Sequence, residues 1–199
     1  MTKDRDTKSL LLQTALHLIW AESYGSVSVD DICSKAGAKK GSFYHFFHSK
    51  AELAKEALEF LWDEMKPQLD EIFSSQAPPL ERIKRYLEAM LREQKKFYKE
   101  LGYVVGCPFT SVGSEQCSCG DGVTEKSRDI LSRFGKYLRH AIQDGIEDGS
   151  IPKVDPTKVS NQMLVYELGA MSFARVSNNL APLEGIEEAY MRLLGLEAG

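Results

Sequence analysis

Apolar residues recur along this chain every three to four positions, which is the spacing of amphipathic helices. The alternating, β-branched runs that indicate strands are absent. Leu11, Ala15 and Ile19 mark the first helix, which we expect to end near Gly25, because glycine adopts the left-handed conformation that terminates helices. The pattern therefore predicts an all-α fold that begins with an amphipathic helix.

Two short helices are predicted after this first one. Ser28 heads a Ser-x-x-Asp sequence, which is typical of a helix N-cap, and the helix that it opens ends at Gly37. The pattern then predicts a short helix over residues 39–46. Ser49 heads a Ser-x-x-Glu capping box that opens a longer helix. Three helices are therefore expected before residue 50.

Longer apolar stripes predict six further helices in the rest of the chain. One begins at Pro108, and one runs from an Asp155 cap to about Asn178. The prediction is an all-α protein of about nine helices. We divide it into a three-helix, helix-turn-helix domain at residues 1–50 and a larger helical domain at residues 51–199.

Charge is distributed unevenly along the chain, whose net charge is −4 at pH 7. Residues 1–55 contain eight Lys and Arg and six Asp and Glu, a net charge of +2, whereas the remainder carries −6. A basic N-terminal region followed by an acidic remainder is typical of a DNA-binding protein in which only the N-terminal region contacts phosphates.

Nothing in the composition indicates secretion or insertion into a membrane. The charged segment at residues 1–9 has no apolar core behind it, and no apolar run is long enough to cross a bilayer. We therefore expect a cytoplasmic protein with no membrane partner. Its four cysteines are expected to be thiols unless oxidation is itself the signal.

The second and third helices carry the chemistry of DNA recognition. Two short helices joined by a glycine-containing turn are typical of a helix-turn-helix, whose second helix enters the major groove. That second helix opens with lysines and a glycine and continues with hydroxyl, phenol and imidazole groups, which can bond phosphates and base edges. The alternative to DNA contact is that such lysines only form a solvent-exposed face. The candidate DNA contacts are Lys39, Lys40, Gly41, Ser42, Tyr44, His45 and Lys50.

The stretch from Ala38 to Leu53 strongly resembles the helix-turn-helix of the tetracycline-repressor (TetR) family of bacterial regulators. The matching positions are Gly41, Tyr44, Phe46, Phe47 and Lys50. The resemblance implies that Ser28 and Lys50 contact phosphate while the other candidates face the groove. Lys39 departs from the small hydroxyl residue common at its position. We expect the phenylalanines of this stretch to lie in the core.

The resemblance also implies a repressor that binds double-stranded operator DNA as a homodimer and is released by a small-molecule effector. Its larger domain would hold a pocket among the middle helices and would dimerise through the last two. We predict that Leu193 and Leu194 lie in the apolar seam of this dimer. Ordinary core packing is the alternative for each aromatic or Met residue of the pocket. The candidate pocket residues are Tyr103, Cys107, Phe109, Tyr137, Met163, Tyr166 and Phe173.

Cys107 directly precedes Pro108, and this order predicts that Cys107 is the N-cap of the sixth helix. The positive end of a helix favours the thiolate, which suits a sensor of electrophiles or oxidants. The stretch from Gly106 to Phe109 also resembles an electrophile-responsive branch of the family. The alternative is a small buried capping cysteine without a sensing role.

Cys117 and Cys119 lie in a predicted loop after the sixth helix. They could form a disulfide with an oxidised Cys107, bind a soft metal ion together with it, or be plain exposed loop cysteines. Their spacing matches no standard zinc pattern, so no metal site is predicted. Cys33 is expected in the core of the second helix.

Rival classes of function have weaker support. The sequence contains no glycine-rich phosphate loop, no Gly-x-Ser-x-Gly and no His-Glu-x-x-His, and its four histidines are scattered. We therefore expect neither an enzyme nor a bound cofactor. A helical protein-protein adaptor without DNA binding is the alternative, but it leaves the first fifty residues unexplained.

Overall fold

A computed structural model of the chain describes residues 2–115 and 120–196, with residues 2–6 as backbone only. These ranges contain helices and no strand, so the all-α prediction is confirmed. None of the helices combines the length and continuous apolarity that a bilayer span requires. In chain order they are α1 (Thr2–Ala21), α2 (Val29–Lys35), α3 (Lys40–Phe46), α4 (Lys50–Ile72), α5 (Pro79–Leu101), α6 (Pro108–Glu115), α7 (Val123–Glu147), α8 (Pro156–Ser177), α9 (Ala181–Glu184) and α10 (Ile186–Leu193).

The predicted ninth helix is divided in the structure. Gly185 separates the four-residue α9 from α10, so the described residues form ten helical segments where about nine were expected. The predicted start of α6 at Pro108 is confirmed. Cys117 and Cys119 lie outside the described residues.

Side-chain caps begin the helices where the sequence predicts them. The Ser28 Oγ atom accepts a hydrogen bond from the Asp31 amide at 3.1 Å, and the Asp31 carboxylate accepts one from the Ser28 amide at 2.8 Å. This is a complete capping box for α2. Asp155 caps α8 by accepting from the amides of Thr157 and Lys158. Both predicted caps are confirmed.

The cap of α4 is shifted from its predicted form. Ser49 Oγ accepts from the Glu52 amide at 3.1 Å, as expected. The Glu52 carboxylate accepts from the His48 amide at 2.6 Å instead of from that of Ser49. The reciprocal half of the capping box therefore reaches one residue further back along the chain.

The chain folds into two compact units. The first comprises Met1–Met65 and Pro108–Ile130, and the second comprises Lys66–Cys107 and Leu131–Gly199. The first unit thus includes α6 and the start of α7 together with the helix-turn-helix. The division of the chain into domains at residue 50 stays a prediction.

In the first unit, α1 packs on α2, α3 and α6. Phe43 and Phe47 are fully buried with ring centroids 5.6 Å apart, which confirms their predicted place in the core, whereas Phe46 is only half-buried. The α6 and α7 helices meet closely at Gly113, where an added Cβ would lie 2.6 Å from the Cβ of Ser127. Only glycine permits this approach.

In the second unit, a buried carboxylate joins α5, α8 and α10. Glu167 is 3% exposed and accepts hydrogen bonds from Tyr86 at 2.7 Å and from Tyr190 at 2.6 Å, one at each oxygen. Burial raises the pKa of Glu167, and the two hydrogen bonds oppose this shift. The pKa of each tyrosine is raised by burial and by the neighbouring carboxylate. Each oxygen of this buried carboxylate is therefore satisfied.

Candidate functional site

The α2 and α3 helices and the turn between them form the helix-turn-helix. Gly37 occupies the turn with a φ of +61°, a conformation that favours glycine. The Ala38 amide donates to the carbonyl oxygen of Cys33 at 2.9 Å, which closes the turn. Ile32 and Phe43 bury the inner faces of the two helices. The outer face of α3 is therefore directed to solvent.

That outer face carries most of the predicted DNA contacts. Tyr44 is 53% exposed, although it is a large aromatic residue. An added Cβ at Gly41 would meet no atom within 4 Å, so the surface there is open to a close approach. Only Ser42 is half-buried among the predicted α3 contacts. The exposed members at the start and along α3 are Lys39, Lys40, Gly41, Tyr44 and His45.

Lys40 is paired with an acidic residue of α2. Its Nζ atom lies 2.8 Å from Oδ1 and 3.0 Å from Oδ2 of Asp30. The hydrogen bond to Asp30 and its negative charge raise the pKa of Lys40. Both side chains are exposed, and an exposed ion pair contributes little to stability. A phosphate can therefore compete for this ammonium group.

Ser28 and Lys50 both have intramolecular contacts, of which the sequence predicted the Ser28 cap but not those of Lys50. The Ser28 hydroxyl belongs to the capping box of α2. Lys50 Nζ donates to the carbonyl oxygens of Tyr24 at 2.8 Å and Val27 at 2.9 Å, and it lies 4.3 Å from the centroid of the Tyr24 ring. The phosphate contacts of Ser28 and Lys50 stay predictions, since the structure holds both groups within the protein.

Desolvation lowers the pKa of Lys50, and the negative charges of Glu115 and Asp121 oppose this effect. The ammonium group therefore lies in a half-buried setting with two carboxylates nearby. No local pattern in the sequence indicates this arrangement, because Lys50 and these carboxylates are more than sixty residues apart in the chain.

The predicted pocket residues differ in burial, and their grouping in one pocket stays a prediction. Met163 and Phe109 are buried, and Phe109 belongs to the first unit. Tyr103 is half-buried. The Tyr137 hydroxyl donates to Asp70, and desolvation together with this hydrogen bond raises the pKa of Tyr137 to about 12.

Tyr166 and Phe173 do not lie inside the chain. They are 45% and 62% exposed on α8, whereas Met163 on the same helix is fully buried. The pattern missed this difference because α8 is apolar on more than one face. As lining of an internal pocket these two residues are corrected to surface positions of the single chain.

An open groove of about 490 Å³ lies elsewhere in the second unit. Pro78, Arg82, Asp144 and Asp148 contribute to its walls, and the Arg82 guanidinium pairs with Asp144. None of the predicted aromatic pocket residues lines this groove.

Cys107 ends a short segment, residues 103–107, that we call the strap. The Val104 amide donates to Asn178 Oδ1 at 2.9 Å. The Gly106 amide donates to Gln94 Oε1 at 3.3 Å, and Gln94 Nε2 donates to the Gly106 carbonyl oxygen at 3.1 Å. The strap is thus hydrogen-bonded to α5 and to the end of α8. Cys107 itself is 8% exposed and is a thiol, and its capping role stays a prediction.

Gly106 allows the strap to approach α8 closely. Its φ is +70°, and an added Cβ would lie 3.5 Å from the carbonyl oxygen of Met171. Met171 is one turn beyond Glu167 on α8, and Gln94 is about two turns beyond Tyr86 on α5. The buried Tyr86 and Glu167 pair therefore lies along the same two helices that hold the strap.

The predicted dimer seam is wrong for Leu194. This residue is fully buried within its own chain, and Leu193 is half-buried. The reason is that α10 packs on α5 and α8 of the same subunit. Four exposed apolar residues lie instead on α8, and two of them have the largest exposed fractions among the exposed large hydrophobic residues of the described chain; the four are Val165, Tyr166, Phe173 and Val176.

Comparison with known proteins covers both regions of the chain. A family model described as bacterial regulatory proteins, tetR family, matches residues 11–57, and one described as tetracyclin repressor-like, C-terminal domain, matches residues 79–190. The chain is 30% identical to YhgD of Bacillus subtilis, an uncharacterised HTH-type transcriptional regulator, over 80% of this chain and 79% of that protein. It is 24% identical to the HTH-type transcriptional repressor NemR of Escherichia coli, over 91% of this chain and 90% of that protein.

Solved structures share the fold. The crystal structure of the reduced form of Escherichia coli NemR gives a TM-score of 0.82 at 23% identity, over 94% of this chain and 96% of that one. The regulatory protein TetR from Rhodobacter sphaeroides gives 0.81 at 22% identity, over 93% and 97%. The alternative of a helical adaptor without DNA binding finds no support among these relatives. The chain belongs to the TetR family of bacterial regulatory proteins and is a DNA-binding transcriptional regulator.

Proposed function

We propose that this regulator is a repressor that binds a partly palindromic operator as a homodimer and is released when a thiol-reactive effector modifies Cys107. The observation that carries the DNA-binding part is the outer face of α3, where polar and cationic side chains are exposed above the buried Phe43. Relatives named as repressors, among them NemR and DhaR of a Mycobacterium species, support repression as the mode of regulation.

The proposed DNA interface is centred on the start of α3. Lys39 and Lys40, the N-cap and the first residue of this helix, are exposed cations that attract phosphate. Tyr44 and His45 follow on the exposed surface, where a phenol and an imidazole can reach base edges or sugar oxygens. Asp30 holds Lys40 in the unbound protein, and a phosphate oxygen would replace it on DNA.

The exposed face of α8 is the proposed dimer interface. Val165, Phe173 and Val176 follow one another at helical spacing, and Val176 is 85% exposed. Gly169 lies between them, and an added Cβ there would meet no atom of the same chain within 4 Å. A contiguous apolar surface of this kind marks a protein-protein contact, and a two-fold dimer uses the same surface on both copies.

Cys107 is the proposed site of the effector. The strap before it is fixed by hydrogen bonds to Gln94 and Asn178, and the thiol is buried in a close-packed region. An adduct on the sulfur has no room there, so the strap must move. Pro108, the first residue of α6, is bonded directly to Cys107, and movement of the strap would displace the start of α6. Burial favours small, uncharged electrophiles over bulky reagents.

Lys39→Ala and Lys40→Ala should each weaken operator binding and make its salt dependence shallower. A lysine that neutralises a phosphate releases a counterion, so each variant should reduce the slope of log affinity against log salt by about one unit. Fluorescence anisotropy over a salt series measures both quantities. Lys153→Ala removes an exposed lysine outside α3 and α8 as a matched control and should keep the wild-type slope. Wild-type slopes in both α3 variants would remove these lysines from the interface.

Val165→Glu and Phe173→Glu should each produce monomers that bind operator DNA poorly, because a charge would be desolvated in an apolar contact. Sedimentation velocity gives the oligomeric state, and circular dichroism checks that each chain remains folded. Gln143→Glu adds the same charge to an exposed position of α7 and should leave the dimer intact. Folded, dimeric Val165→Glu and Phe173→Glu proteins would place the interface elsewhere.

N-ethylmaleimide, a small uncharged electrophile, should release the wild-type protein from its operator but not Cys107→Ser. The thiolate adds to one alkene carbon to form a carbon-sulfur bond, and the other carbon takes up a proton. Operator binding is followed during the titration, and mass spectrometry identifies the labelled cysteine. Cys33→Ser, which removes another buried thiol, should respond like the wild type. Release of Cys107→Ser at the wild-type dose would refute the thiol switch and favour a reversible ligand.

A further inference from the structure

The turn between α1 and α2 is hydrogen-bonded to residues 108–130, the other chain segment of the first unit. The Gly25 amide donates to Oε2 of Glu115, the last residue of α6, at 3.2 Å. The Tyr24 hydroxyl donates to Oδ2 of Asp121 at 3.4 Å. Two carboxylates that flank the connection between α6 and α7 therefore contact adjacent residues of this turn.

Lys50 completes the same arrangement from the start of α4. It donates to the carbonyl oxygens of Tyr24 and Val27, which satisfies backbone acceptors of the turn. A half-buried ammonium group is costly without opposite charge nearby, and Glu115 and Asp121 supply that charge. We call this set of residues, Tyr24, Gly25, Lys50, Glu115 and Asp121, the clasp.

Further contacts join the described ends of α6 and α7 beside the carboxylates of the clasp. Asp121 Oδ1 accepts from the amide of Val123, the first residue of α7, at 3.1 Å, so the side chain that contacts Tyr24 is also bonded to the start of α7. Thr124 Oγ1 donates to the carbonyl oxygen of Gly113 at 2.9 Å, which ties α7 to α6. The close approach of Gly113 to Ser127 adds a steric constraint at this corner. Movement of either helix would therefore displace the carboxylates.

The turn held by the clasp leads directly into the helix-turn-helix. Val27 is fully buried, and Ser28, the next residue, is the N-cap of α2. The position of the turn therefore determines where α2 begins, and α2 packs on α3. A shift of the turn would change the angle at which α3 meets the groove.

We propose that Glu115 and Asp121 are positioning residues for DNA binding, which act through the α1–α2 turn without contacting DNA. This inference rests on the proposed binding of operator DNA by α3. It predicts that these carboxylates increase the affinity for DNA, whereas simple charge repulsion predicts that they decrease it. Removing a negative charge from a DNA-binding unit strengthens phosphate attraction if the charge has no other role, whereas removing it from the clasp should weaken binding.

The test compares Glu115→Gln and Asp121→Asn with Glu125→Gln in the full-length dimer. Glu125 is an exposed residue of α7 in the same unit, so its variant removes the same charge outside the clasp. We expect each clasp variant to lower operator affinity by about tenfold, because a neutral amide oxygen is a weaker acceptor than a carboxylate and the negative charge near Lys50 is lost. The salt slope should not change, because no phosphate contact is lost. Glu125→Gln should bind as tightly as the wild type or more tightly.

Tyr24→Phe separates the hydrogen bond from the charge. It removes the donor to Asp121 and leaves every charge of the clasp in place. We expect weaker operator binding in this variant as well. The double variant Tyr24→Phe with Asp121→Asn should lose no more affinity than the stronger of its two single variants, because both remove one interaction. Fully additive losses would overturn the role of this contact.

Hydrogen exchange at the Gly25 amide tests the clasp without DNA. This amide should exchange faster in Glu115→Gln than in the wild type or in Glu125→Gln. The melting temperature of the protein should be the same in all three. Unchanged exchange in Glu115→Gln overturns the clasp. Wild-type or tighter operator binding by both carboxylate variants also overturns it. Failure of the wild type to bind any operator would refute the proposed function instead, and the exchange result would still decide the clasp.

Discussion

The ammonium group of Lys50 is the contact on which the arrangement of the first unit depends. It lies within 3 Å of two backbone oxygens of the α1–α2 turn, and the carboxylates of Glu115 and Asp121 balance its charge. A half-buried charge of this kind is stable only with partners of suitable geometry. The start of α4, the turn before α2 and the corner between α6 and α7 therefore have to be correctly placed together.

This constraint explains why the compact units are not continuous stretches of the chain. Residues 108–130 lie within the stretch matched by the C-terminal family model, yet they belong to the unit that contains the helix-turn-helix. Cys107 is the last residue of the second unit's first segment, and the next residue begins α6. The proposed effector site is thus adjacent in the chain to the segment that carries Glu115.

Local features of the fold were predictable from the sequence, and contacts between distant residues were not. The caps formed by Ser28 and Asp155 were predictable because each depends only on residues two or three positions away. The burial of Phe43 was predictable from helical periodicity. Of the candidate DNA-binding site, the exposed residues of α3 were predictable from the sequence. The two hydrogen bonds of Glu167 and the contacts of Lys50 depend on tertiary packing that no local pattern encodes. The same reason explains Leu194, which the apolar pattern alone could not assign to its own core or to a partner.

The central claim is that one DNA-binding unit is built from two separate chain segments. Native-state hydrogen exchange of the full-length protein in low denaturant tests it most directly, because residues of one cooperative unit open together. The account predicts that amides of α6 and of α7 up to residue 130 open with the same free energy and denaturant dependence as those of α2 and α3. Opening of α6 together with α8, separately from the helix-turn-helix, would contradict it.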